Sequence, residues 1–287
     1  MTDPERPVDP PETAPSPRGL SNTLVRVLTA LVLAPLVVLL VLWENHLGLW
    51  LLVLAFNAAG YWEILSMAPD GSDRLDKLTM TALGLGFSSV LYFRPGQALP
   101  ISAALVVLVL TYAVFRYRDM DKVGSRAAHW LMALFYCGVL FTCLALLKRL
   151  DADGDWVLLA MTTAWLGDTG AYFTGRAMGG PKIYPAVSPK KTWSGSIGGI
   201  AASLGAGVLA KLWYMPQLGW VDVALLAGLG GALGQVGDFA ESLLKRSYGV
   251  KDSGKLLPGH GGILDRVDAL MFISAWFLAY ATWIGRV

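Results

Sequence analysis

Between Gly234 and Asp268 the chain gathers residues that can do chemistry: Asp238, Glu241, Ser242, Lys245 and Arg246, then Lys251 and Lys255, then His260 in Pro-Gly-His-Gly-Gly, then Asp265, Arg266 and Asp268. Residues three and four apart on a helix share a face. Asp238, Glu241, Ser242 and Lys245 therefore form one polar stripe and Asp265 and Asp268 another, joined by a basic, glycine-rich connection. Carboxylates on facing helices can hold a divalent cation. Lys245, Arg246, Lys251 and Lys255, with backbone N–H groups at Gly259, Gly261 and Gly262, can hold phosphates. This combination favours metal-assisted phosphoryl or nucleotidyl transfer.

Two earlier stretches could serve the same chemistry. Asp168 sits in Trp-Leu-Gly-Asp-Thr-Gly-Ala-Tyr, where the glycines permit close helix contact. Ser188, Lys190, Lys191 and Thr192 surround Pro189, which fits a turn or the first position of the next helix and would leave those groups at a helix N-terminus, where anions bind. The alternative for this segment is a basic loop that only fixes topology. Glu63, with Asn57, lies near the end of an apolar run, where it can act structurally or snorkel to the interface.

The elements that position these residues must lie in a membrane. The chain has 287 residues, 55% hydrophobic and 15% charged, with mean hydropathy +0.52, which is too apolar for a soluble domain of that length. A net charge of +2 gives no reason to expect a nucleic-acid partner. Cys137 and Cys143 fall in one apolar run, six residues apart, and read as buried thiols rather than a disulfide or metal site.

Residues 1–20, rich in Pro, Asp, Glu, Thr and Ser, read as a disordered cytoplasmic tail. Apolar runs follow at about 27–43, 47–67, 78–93, 101–115, 130–147, 156–178, 192–215, 221–244 and 263–284. The first is too long for a signal-peptide core and lacks a small-residue cleavage site. The fold class expected is all-α, a polytopic membrane protein of about nine spans. The spans over 21–150 form an N-terminal set, and those over 151–287 carry the motifs. Loop lysines and arginines alternate in density, which places the N-terminus and both basic motif loops in the cytoplasm and the C-terminus outside.

Ser242, Lys245, Arg246, Lys251, Asp252, Leu257, Pro258, His260, Gly261, Gly262, Asp265, Arg266 and Asp268 together carry a pattern that resembles the signature of the phosphatidate cytidylyltransferases, or CDP-diacylglycerol synthases. Gly-Asp-Thr-Gly-Ala-Tyr around Asp168 and Ser-Pro-Lys-Lys-Thr-Trp from Ser188 to Trp193 look like the same family, so the motifs cover about 165–270. The resemblance implies transfer of CMP from CTP to phosphatidic acid, with magnesium, and room for a second cation, at the cytoplasmic face of a bacterial inner membrane. It makes Asp238 and Asp265 the expected metal ligands, with Asp268 in support and Lys245 and Arg266 in the catalytic set. Ser188, Lys190, Lys191, Thr192, Ser242, Arg246, Lys251, His260, Gly261, Gly262 and Asp168 become expected substrate contacts. CTP, phosphatidic acid and membrane lipids are the implied partners, with a homodimer left open. The family commonly has Glu where this chain has Ser194.

A dianionic phosphate monoester, its second pKa near ~6, needs no strong general base. A CTP-dependent polyprenol kinase is a rival reading, but its alcohol substrate would need a base that the sequence does not supply. An ion-coupled transporter is a rival of another class. Its acids would follow a path, whereas these cluster beside a basic loop. For Asp265 the competing structural role is an ion pair with Lys245 or Arg266.

Overall fold

The computed structural model describes residues 31, 34–68, 73–117, 120–254, 256 and 261–285. The expected tail over 1–20, the lysine at 255 and His260 lie outside them.

Among the described residues the chain is almost wholly helical. Residues 34–42 are helical, followed by α1 (His46–Met67), α2 (Arg74–Phe93), a 3₁₀ turn at Pro95–Gln97, α3 (Ala98–Arg116), α4 (Met120–Leu147) and α5 (Asp155–Met178). A two-stranded hairpin, β1 (Lys182–Tyr184) and β2 (Ser188–Thr192), leads to α6 (Trp193–Trp213), α7 (Trp220–Ser247) and α8 (Leu264–Trp283). Within α7, Ala224–Leu229 forms a π-helical segment. Five stretches are long and apolar enough to cross a membrane: α1, α3 with its 3₁₀ turn, α4, α6 and α7. The other long helices, α2, α5 and α8, have 20, 24 and 20 residues, and each carries charged groups that dilute its hydropathy.

Helix ends follow local chemistry. The Asn45 side chain caps α1 by accepting from Leu47 N, and Asp73 and Asp76 form a reciprocal capping box at α2. Asp76 is fully buried, which is costly for a carboxylate without partners. It has four: Asp73 N donates at 3.2 Å, Tyr112 at 2.8 Å and Arg116 at 3.3 Å, and Tyr117 donates as well. Burial, reinforced by that hydrogen bond, pushes the Tyr117 phenol up to about 12, so it remains a donor. Arg116, at the end of α3, thus fastens α3 to α2.

The core of the N-terminal half forms around Tyr61. Its hydroxyl donates to Gly84 O at 3.1 Å, and its ring fills the space a Cβ on Gly84 would need, with Cζ 2.4 Å away. Asn57 lies against it, donating to Ser88 Oγ at 2.8 Å. By contrast α3 turns Leu99, Val107, Val114 and Phe115 outward, as lipid permits.

The apolar reading starts α4 at about 130, yet the helix begins at Met120. Its first ten residues are too polar for a span, yet Ala127 and His129 among them are buried. The Ser188–Thr192 reading is corrected more sharply. The segment is a strand paired antiparallel with β1, Lys182 opposite Thr192 and Tyr184 opposite Ser188, and only Thr192 serves the helix, capping α6 by accepting from Gly195 N at 3.1 Å. Proline is tolerated here because a two-stranded hairpin has only edge strands.

Helices α5 and α6 pack antiparallel along a seam of small residues. A Cβ on Gly170 would lie 2.4 Å from Ala202 Cβ, and one on Gly198 would lie 2.1 Å from Thr174 Oγ1. Helix α8 packs on α7 and also on α4, so the motif-bearing helices share one core with the N-terminal ones. Cys137 and Cys143 are buried free thiols, as their spacing implied.

Candidate functional site

Two clusters of acids form where α7 passes α5 and α8. The first is open. A cavity of about 540 Å³ is lined by Asp168, Ala171, Tyr172, Gly175 and Arg176 from α5, Ile183, Lys190, Lys191 and Thr192 from the hairpin, Gly195 and Ser196 from α6, and Gln235 and Asp238 from α7. The hairpin carries Lys191 over the cavity, where it pairs with Asp238 Oδ2 and stands 4.4 Å from the Phe239 ring. Ser242, one turn on, donates to Asp238 Oδ1 at 3.4 Å. Helix α8 approaches α7 so closely at Gly237 that a Cβ there would lie 2.6 Å from Asp268 O, which brings Asp268 beside Asp238. Asp168, Asp238 and Asp268 lie within electrostatic reach of one another, with Lys191 as their shared cation.

The second cluster is closed. Lys245 Nζ donates at 2.5 Å to both Glu241 Oε2 and Asp265 Oδ1. The other Asp265 oxygen accepts from Ser253 N and Gly262 N, each at 3.0 Å, and lies 3.0 Å from Ser253 Oγ. Lys245 and Glu241 are buried. Of the two roles weighed for Asp265, ligand and ion-pair partner, the geometry displays the second, with Lys245 as the partner.

The remaining expected residues divide accordingly. Gly262 N–H points at Asp265 rather than outward. Its glycine identity is steric, since a Cβ would lie 1.9 Å from Ser253 Oγ, while Gly261 has φ +84°, a conformation that favours glycine. Arg246 donates to Val250 O at 2.9 Å, closing the end of α7, and Lys251 and Arg266 are exposed. Ser188 and Lys190 stand on β2, with Lys190 exposed at the cavity. Ser194, where the family often has Glu, donates to Gly179 O and lies 3.1 Å from Thr192 Oγ1, tying the hairpin's base.

Several participants escaped the sequence reading. Gln235 donates to Ser196 O at 2.9 Å and accepts from Ser196 Oγ, bridging α7 and α6 at the cavity wall. A glutamine in an otherwise apolar and glycine-rich span was its available signal. His129 is buried on α4, where its Nε2 lies 3.1 Å from Ile64 O and its Nδ1 2.6 Å from Tyr248 Oη. A carbonyl only accepts, so Nε2 carries the proton and Nδ1 accepts from Tyr248. Burial raises the Tyr248 phenol, which keeps that donor protonated. Glu63 does not snorkel. It is buried, its carboxylate accepts from Ile263 N at 2.9 Å and Leu264 N at 3.1 Å, and Ser253 Oγ lies 2.9 Å from it.

Among the described residues no group of three or more His, Cys, Asp and Glu side chains is placed to hold a metal ion. Magnesium is commonly held by one or two carboxylates together with substrate phosphates and water. The open acids fit that arrangement: three carboxylates share one lysine, and two of them face a cavity. Buried polar atoms nearby, Glu241 Oε1 and Tyr136 Oη, also lack protein partners.

The sequence model of the cytidylyltransferase family matches residues 24–284. The phosphatidate cytidylyltransferase of Brucella suis biovar 1 is 36% identical over 260 residues, covering 89% of this chain and 92% of the relative. The Bacillus subtilis protein of the same name is 33% identical over 265 residues, covering 86% and 93%. That of Staphylococcus epidermidis is 34% identical over 260 residues, covering 87% and 95%.

Proposed function

The chain belongs to the cytidylyltransferase family, and from that premise we propose that it transfers CMP from CTP to phosphatidic acid, giving CDP-diacylglycerol and pyrophosphate. The observation that carries the reading is the open cavity, where Lys190, Lys191 and Arg176 face Asp168 and Asp238 across a space wide enough for a nucleotide's phosphates.

In the transfer a phosphatidate oxygen forms a bond to the α-phosphorus of CTP, and the bond from that phosphorus to the bridging oxygen of pyrophosphate breaks. The attacking monoester is already largely dianionic at neutral pH, so no protein group has to remove a proton. The barrier is repulsion between anions. Lys191 leaves Asp238 for a phosphate as substrate enters, Lys190 and Arg176 hold the outer phosphates, and Ser242 and the Gln235–Ser196 bridge hold Asp238 and the wall in place. Magnesium, held by Asp238 with Asp168 and Asp268 close by, would supply charge neutralisation at the phosphate oxygens. Asp265, with both oxygens already accepting, serves the centre through Lys245. Phe173, Trp193 and Ile197 are exposed beside the cavity, so acyl chains can stay in lipid while the headgroup enters.

The nine apolar runs are taken as nine spans, with the cavity end facing the cytoplasm. Two ion pairs have their basic partners toward that end, Arg116 on Asp76 and Lys191 on Asp238, and the neutral His129 bridge from Ile64 to Tyr248 ties α1 to the end of α7 there. The positive-inside rule assigns it to the cytoplasm, which puts Val287 outside. A cysteine at exposed position 251 should resist impermeant labelling in intact cells and react in inverted vesicles. Labelling from outside would overturn the orientation.

The function is tested with purified protein, magnesium, phosphatidate and CTP labelled at the α-phosphorus. Label should enter lipid, and pyrophosphate should be released. Transfer of a γ-label to a lipid alcohol would instead identify a kinase, and no transfer from CTP to either lipid would sink the reading.

A further inference from the structure

We propose that Glu63 is a positioning residue for the transfer, acting from α1 by holding the first turn of α8 so that Asp268 lies beside Asp238. The proposal rests on the cytidylyltransferase reading and adds to it a residue from outside the motif-bearing segments.

Glu63 is 5% exposed, and both its oxygens are engaged. Oε1 accepts from Ile263 N at 2.9 Å, and Oε2 accepts from Leu264 N at 3.1 Å and lies 2.9 Å from Ser253 Oγ. Ile263 and Leu264 open α8, whose first backbone N–H groups have no partners within the helix. A carboxylate from a distant helix therefore fills the place a local capping side chain would take, and Ile263 offers no such side chain.

The Ser253 hydroxyl lies between two carboxylates, 2.9 Å from Glu63 and 3.0 Å from Asp265. It has one proton, so it donates to one of them at a time, while Ser253 N–H holds Asp265 in either case. Through Asp265 the chain of contacts passes to Lys245 and then to Glu241 on α7, the latter three residues beyond Asp238. Two glycines make the fit close: a Cβ on Gly254 would lie 2.6 Å from Glu63 Oε1, and one on Gly262 would lie 2.5 Å from Oε2. The loop is tied to the end of α1 at its start as well, by the His129 bridge from Ile64 O to Tyr248. The stretch from Tyr248 to Leu264 is thus fastened at both ends to neighbouring residues of one helix.

A cap that only stabilised the fold would be replaceable by any substitution that leaves the protein folded. A positioning group would not, because α8 carries Asp268 one turn after Leu264. Glu63→Gln keeps the shape but presents an NH₂ group to backbone N–H donors, Glu63→Asp keeps the charge on a shorter stem, and Ser253→Ala cuts the link to Asp265 while leaving Glu63 in place. The three variants are purified, and each is read by amide hydrogen exchange over 253–268 and by kcat and KM for CTP across a magnesium titration. We expect Glu63→Gln to exchange faster at 261–268 than wild type while α5 and α6 remain protected. Its kcat should fall about tenfold or more with KM for CTP little changed, the scale for partners that orient a catalytic group. Glu63→Asp should recover part of both, and Ser253→Ala should show a smaller loss of the same kind. Wild-type kcat alongside faster exchange would reduce Glu63 to a cap, and unchanged exchange would remove it from the loop altogether. If Glu63→Gln does not fold, the idea falls unless Glu63→Asp and Ser253→Ala, purified folded, show the local exchange and kcat losses together. The exchange arm reads the clamp even if the wild-type protein transfers no CMP, so the failure of one reading is distinct from failure of the other.

Discussion

The open and closed acid clusters share a helix. Asp238 and Glu241 lie less than one turn apart on α7, and Asp265 and Asp268 are spaced the same way on α8. In the closed cluster Lys245 and the backbone N–H groups of Ser253 and Gly262 leave Asp265 no free oxygen. In the open cluster three carboxylates share Lys191 beside a cavity. Residue type does not separate the two clusters; supply of donors does. Where backbone N–H groups and a buried lysine engage both oxygens of a carboxylate, as at Asp265, the acid holds structure. Where the protein leaves negative charge under-compensated, a cation and anionic substrates can complete the site.

The largest expected effect breaks the open cluster. Asp238→Asn keeps the shape and removes one charge, and turnover should drop by on the order of 100-fold or more with normal protein yield. Near-normal turnover with an unchanged magnesium requirement would remove Asp238 from the site. Asp265→Asn attacks the closed cluster and should read out differently. Losing one partner of a buried pair costs about 3 kcal/mol, so thermal stability in detergent should fall while the magnesium dependence of the remaining activity stays as in wild type. A shifted magnesium requirement would move Asp265 into the metal-binding set and dissolve the contrast.

Sharper resolution comes from the hairpin. Replacing Lys190 and Lys191 by Gln should raise KM for CTP or phosphatidate roughly tenfold, as charge-assisted contacts to phosphate are lost. Lys191→Gln alone should account for most of it, since only Lys191 reaches Asp238. Wild-type kinetics in a correctly inserted double variant would make the hairpin a topology signal. The smallest effect belongs to Ser194→Ala. It removes one hydrogen bond to Gly179 O, worth about 1 kcal/mol, and activity should stay within about twofold. A loss comparable to that of Asp238→Asn would show that the hydroxyl has an essential contact.

Apolar runs made the helices legible, because a residue facing lipid needs only to be apolar, and the described helices lie where the runs do. The polar start of α4 was missed for the same reason. The Ser188–Thr192 strand was hidden by a proline that reads equally well as a helix start. The motif named the acids, but spacing along one helix cannot say which carboxylate finds a donor. Asp265 depends on Ser253 and Gly262, in a loop without periodicity. Glu63 meets Ser253 across 190 residues of sequence, and local pattern contains nothing of that contact.

The π-helical segment at Ala224–Leu229 gives α7 a phase as well as a path. Trp276 Nε1 donates to Leu225 O at 2.8 Å within it, fastening the wider turn to α8. Everything downstream on α7 inherits its angular setting: Gln235 toward α6, Asp238 toward the cavity, Glu241 and Lys245 toward α8. Because each residue of an α-helix advances by about 100° and each residue of the wider π turn by less, winding this segment as an ordinary α-helix with all its residues kept would turn that whole set about the axis together, as a key is turned in a lock, without altering a single side chain of the motif.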